Sequence, residues 1–137
     1  MAVALELERR FAEQWEAAVA RRDAEAVAAL LADDVTFSSP AVHRPYQGRE
    51  IVSALLGHVI DVFGELTYTG VYTSGDGGVV MQFETSVKGP ERVLRLEGVD
   101  VFRLDEEGRI REMRVMIRPL SGLQALAAAM AARLGLA

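Results

Sequence analysis

The amino-acid sequence predicts a single α+β domain: a cone-shaped, curved antiparallel sheet covered by three N-terminal helices and a C-terminal helix. Apolar residues recur every three or four positions up to Phe63, the period of helices packed on one side. From Leu66 to Arg118 the period changes to two. The turn signals Ser74-Gly75-Asp76-Gly77-Gly78, Lys88-Gly89-Pro90-Glu91 and Asp105-Glu106-Glu107-Gly108 divide that half into strands joined by short turns, an antiparallel meander. A chain of 137 residues suits one domain with a core of its own.

The first helix is expected over roughly residues 4 to 22. Leu7, Phe11, Trp15 and Val19 form its apolar stripe, with Glu8, Arg10, Glu13 and Arg21 on the other face. Asp23 is a good N-cap for a short second helix containing Val27, Leu30 and Leu31, which stops near Asp33-Asp34. A strand follows over Val35 to Ser39, then a loop containing Pro40, Pro45 and Gly48. The third helix runs to about Phe63 with a stripe of Ile51, Leu55, Val59 and Val62, and His58 on the same side. The last helix follows Pro119, with Ser121 as N-cap and Leu123, Leu126, Met130 and Leu134 along one side.

Composition narrows the function classes. All but one of the 15 basic residues are arginine, Lys88 being the exception, and they are dispersed over a chain of net charge −5. A nucleic-acid binder needs a concentrated basic face, so that class is disfavoured. No apolar run approaches the ~18 residues of a membrane span. The segment Met1 to Arg10 carries Glu6 and Glu8 rather than the basic-then-apolar layout of a signal peptide. With no cysteine there is no disulfide or thiolate chemistry, which fits a cytoplasmic protein. The two histidines lie far apart without metal-ligand spacing, and no cofactor motif occurs, so neither a metal nor a cofactor is expected.

Strand phase isolates one anomaly. In the third long strand Leu94, Leu96, Phe102 and Leu104 share the inward face, and alternation puts Asp100 among them. An ionised carboxylate buried without a partner is very costly, so Asp100 must be paired, hydrogen-bonded or protonated. Trp15, Ser39 and His58 are the polar-capable groups whose phases also point inward.

The element order and three segments resemble the nuclear transport factor 2-like superfamily, with its SnoaL-like and ketosteroid isomerase-like members. Leu30-Leu31-Ala32-Asp33-Asp34-Val35-Thr36-Phe37 looks like that family's helix-to-strand junction, and Gly48-Arg49-Glu50-Ile51 like the start of its third helix. Asp100-Val101-Phe102-Arg103-Leu104-Asp105-Glu106-Glu107-Gly108-Arg109-Ile110 looks like its last hairpin. The resemblance implies a cystatin-like α+β barrel and a homodimer through the outer sheet face. Lined up with the ketosteroid isomerases, the sheet aspartate of the oxyanion hole falls on Asp100. The helix tyrosine falls on Trp15, and the catalytic base on Ser39, just before Pro40. The acid/base aspartate of SnoaL-like polyketide cyclases falls on Val115. Asp100 lacks the second inward acid of the limonene epoxide hydrolases. With His58 it imitates the histidine–aspartate pair of the scytalone dehydratases.

Two functional classes follow. One is an isomerase, cyclase or dehydratase for a steroid- or polyketide-like apolar ligand, with Asp100 as acid and Trp15, Ser39 and His58 as helpers. The other is a non-catalytic dimerisation or interaction module, favoured by Ser39 and Val115 where relatives carry acids. The expected pocket takes Trp15 and Leu55 from helices and Phe37 and Ser39 from the first strand. The sheet adds Met81, Phe83 and Phe102, with Met113, Val115 and Ile117 from its last strand.

Overall fold

The computed structural model describes residues 2–135. The elements are α1 (Ala2–Ala20), α2 (Ala24–Ala29), β1 (Leu31–Ser38), β2 (Tyr46–Gln47) and α3 (Arg49–Val62), then β3 (Thr67–Thr73), β4 (Gly78–Lys88), β5 (Val93–Leu104), β6 (Ile110–Arg118) and α4 (Leu120–Arg133). The six strands form one curved sheet in the order β2-β1-β6-β5-β4-β3. The meander β3 to β6 is antiparallel, as the turn signals require. β1, however, runs parallel to β6, so the sheet is mixed. β2 is a two-residue strand within the stretch read as loop, pairing Thr36 with Gln47 and Phe37 with Tyr46.

Strand alternation holds along β4 and β5. Val79, Met81, Phe83 and Val87 are buried on β4, and Leu96, Phe102 and Leu104 on β5. Gly98 occurs where a side chain could not: a Cβ there would sit 2.7 Å from Phe83 Cζ and 2.5 Å from the Met116 carbonyl oxygen. Its absence lets the Phe83 ring lie across β5.

The helix stripes need two corrections. On α1 the residues Phe11, Trp15, Ala18 and Val19 are buried as expected, but so is Glu8, which was assigned to the solvent face. Its carboxylate accepts the backbone N–H groups of Gly75 and Gly77, at 2.9 and 2.7 Å. Gly77 has φ +98°, a conformation that suits glycine and turns its N–H toward the helix. On α3 the buried residues are Val52, Leu56 and Ile60, one position on from the expected stripe, and Ile51 is 54% exposed. The run Ile51-Val52 and Leu55-Leu56 is apolar at both phases, so periodicity alone could not choose between them.

Asp23 caps α2 by accepting the Ala26 N–H at 3.0 Å, as expected. Arg22 ends α1 in the left-handed region, at φ +52°. Its guanidinium donates to the carbonyls of Ile60, Phe63 and Gly64, tying the end of α1 to the end of α3. α4 is capped by Pro119 rather than Ser121 and lies across the cup, packed on α3, β4, β5 and β6. Gly122 sits against Leu96 there, and Leu126 is buried. No described helix is long and apolar enough to cross a membrane.

Candidate functional site

Asp100 occupies the middle of β5, opposite Met81 of β4 and Val115 of β6. It is 5% exposed, so the inward phase predicted for it is correct. Of the three groups nominated from the sequence, only Trp15 is beside it, and the group that bonds it most directly, Tyr68, was not among them. Tyr68 of β3 donates its phenolic hydrogen to Asp100 Oδ2 at 2.9 Å. The same phenol oxygen accepts from Trp15 Nε1 at 2.6 Å. Trp15 is held by aromatic contacts, its ring centroid 5.0 Å from that of Phe102 in an edge arrangement.

The direction of this chain follows from its donors. An indole N–H can only donate, so the Tyr68 oxygen must accept there and spend its one hydrogen on Asp100. Oδ2 is then an acceptor whether or not the carboxyl is protonated. A proton on Asp100 belongs on Oδ1, where it is free to be donated to another group. Burial is the main cause that raises the Asp100 pKa to about 7, while hydrogen bonding from Tyr68 and from Trp15 pulls the other way. The Tyr68 pKa is raised well above its usual value by burial first and by the adjacent Asp100 carboxylate second, so this phenol keeps its proton.

Above this chain lies a small apolar hollow of about 60 Å³. Phe37, Phe83, Met113, Val115 and Ile117 line it from the sheet. Leu56, Val59 and Ile60 line it from α3, and Leu126 of α4 closes it. Asp100, Tyr68 and Trp15 supply its side-chain polar atoms. Beyond Leu126 lies an outer apolar groove of about 230 Å³ between α4, α3 and the loop after β1. Phe37, Pro40, Val59 and Leu126 belong to both spaces.

Several nominated residues lie elsewhere. Leu55 and Ser39 line the outer groove, because α3 is rotated and the chain turns outward at Pro40. Ser39 Oγ accepts the Val42 N–H at 3.1 Å, within its own turn. Met81 and Phe102 are fully buried in the core beneath the hollow and do not line it. His58 is on the outside of α3, where Nδ1 accepts from Arg133 Nε at 2.9 Å, and Arg133 also pairs with Asp61 at 2.5 Å. The pairing of His58 with Asp100 is therefore incorrect. Tyr68 was missed, although Leu66 and Tyr68 alternate with Thr67 and Thr69 in the inward phase. The register shift between Tyr68 and Gly70 hides the pattern beyond that point.

The SnoaL-like domain model matches residues 12–113. The chain belongs to the SnoaL-like family. This SnoaL-like protein is 40% identical to a steroid delta-isomerase from Pseudomonas aeruginosa, over 94% of this chain and 92% of that one, with a TM-score of 0.83. It is 35% identical to a bacterial protein of cystatin-like fold from Silicibacter pomeroyi, over 91% and 85% of the two chains, with a TM-score of 0.83. A SnoaL-like polyketide cyclase from Jannaschia, at 18% identity over 89% and 94% of the chains and a TM-score of 0.71, shares the fold. Comparison with curated proteins finds no match.

Proposed function

We propose that this SnoaL-like protein binds an apolar carbonyl compound and acts on it as an isomerase or cyclase, with Asp100 as the acid. The observation that carries this reading is a carboxyl with a pKa of about 7, buried against an apolar hollow and held by Tyr68. Protonated at Oδ1, Asp100 donates a hydrogen bond to the ligand carbonyl oxygen. As a proton leaves the adjacent carbon to water, charge grows on that oxygen, and the acid in its dry surroundings stabilises it. The 40% identity to a protein named as a steroid isomerase supports the reading.

Isotope exchange tests it. An apolar ketone incubated with the protein in heavy water takes up deuterium next to the carbonyl, and Asp100→Ala, which removes the donor, abolishes the uptake. Ligand binding without uptake favours a second reading, a carbonyl-binding protein without turnover. One feature supports that alternative: Ser39 stands where the resemblance puts a base, and its hydroxyl is engaged in its own turn.

The reading includes a homodimer through the outer sheet face. Met116 and Tyr72 are exposed on the outer face of the sheet, at 53 and 60%. Apolar groups among charges of both signs suit a two-fold interface.

A further inference from the structure

We infer that the ligand is bipartite, a slender carbonyl head in the inner hollow and a flexible hydrocarbon tail in the outer groove, with Leu126 of α4 as the residue that sets this specificity. The inference rests on the proposed role of Asp100 and goes on to name the shape of what reaches it.

Size carries the argument. The inner hollow, at about 60 Å³, has room for only a few water-sized groups, since about 10–15 Å³ of such space holds one water. A fused polycyclic ketone cannot enter it. An unbranched acetyl group approaches that scale. The outer groove, at about 230 Å³, has a nearly wholly apolar wall that includes Val42, Leu55, Ala127, Met130 and Ala131. It offers an alkyl chain apolar contact and no charged partner. The two spaces share Phe37, Pro40, Val59 and Leu126, so a chain leaving the hollow past Leu126 enters the groove directly. α4 is also anchored at its far end, where Arg133 binds Asp61 and His58 of α3. That anchor helps to hold α4, and Leu126 with it, over the hollow.

The sole tryptophan, Trp15, borders the hollow, so its fluorescence reports occupation. The probes are straight-chain methyl ketones from pentanone to undecanone, and a four-ring steroid enone. In the wild-type protein, affinity is expected to rise roughly three- to fourfold per added methylene until the groove is full. Ala131→Phe, which fills the groove, removes the gain from the longer tails. Leu126→Ala raises affinity for the steroid enone by about tenfold or more. Asp100→Ala, which removes the donor, weakens every ketone by the same factor, because it acts on the head alone.

Failure can be assigned. Wild-type protein that binds the steroid enone more tightly than undecanone overturns the bipartite site. So does a tail-length gain that survives Ala131→Phe. If pentanone binds and needs Asp100 while longer tails add nothing, the bipartite site fails and the carbonyl reading stands. If Asp100→Ala weakens no ketone, or no ketone binds, the carbonyl reading falls and this inference with it.

Discussion

Tyr68 Oη lies 2.9 Å from Asp100 Oδ2, on strands separated in the sheet by β4. Neither partner is useful alone. The phenol gives the buried carboxyl an acceptor role at one oxygen, and that leaves the other oxygen as the site of an acidic proton.

Tyr68→Phe is therefore expected to raise the Asp100 pKa above about 7, because the Tyr68 hydrogen bond is among the interactions that hold it down. Carbon NMR of the Asp100 carboxyl reads the midpoint directly. A midpoint that falls on removal of the hydroxyl contradicts the assigned bond.

Asp100 also couples stability to pH. Its folded pKa, about 7, lies above the ordinary value of 3.8, so between those limits the folded state holds the proton more tightly than the unfolded chain does. Stability contributed by this group is thus complete below pH ~4 and is lost as pH rises through ~7, by up to about 4 kcal/mol. Asp100→Asn removes that loss. Denaturant titrations should show the variant matching wild type near pH 4 and exceeding it at pH 8; a constant difference across the range contradicts the linkage.

Glu8 joins α1 to the β3–β4 turn through two backbone N–H groups. Glu8→Ala leaves both donors unpaired in a buried place and should cost about 2–4 kcal/mol in denaturant unfolding. Glu8→Gln keeps one acceptor oxygen and should cost less. Ketone binding per folded molecule should be unchanged in both, since Glu8 does not line the hollow.

The dimer proposed through the outer sheet face is checked by sedimentation equilibrium. Wild type is expected to be dimeric, and Met116→Arg, which puts a charge at the exposed centre of that face, to shift toward monomer. A wild-type monomer at all concentrations rules the interface out.

Much of this architecture could be read from residue order, because alternation and turn chemistry are local. The meander and the burial of Asp100 follow from period two and three glycine-containing turns. The rotation of α3 could not be read, since Ile51-Val52 and Leu55-Leu56 satisfy either phase and only packing against β1 and α4 selects one. His58 followed that stripe to the wrong side. Glu8 looked like a solvent charge because its partners, Gly75 and Gly77, are distant in sequence and offer only backbone N–H groups. Tyr68 was hidden for a related reason. Its bonds to Trp15 and Asp100 span 53 and 32 residues, and a bulge follows it, so no short-range spacing marks it.

The most direct test is the ionisation of Asp100 in the unliganded wild-type protein, followed by carbon NMR with selectively labelled aspartate. A carboxyl that gives up its proton near pH 7 is the result expected of an acid sheltered by the hollow and held by Tyr68. A midpoint near the ~3.9 of a solvated aspartate would contradict the account, because the group would then carry a charge at neutral pH and have no proton to donate.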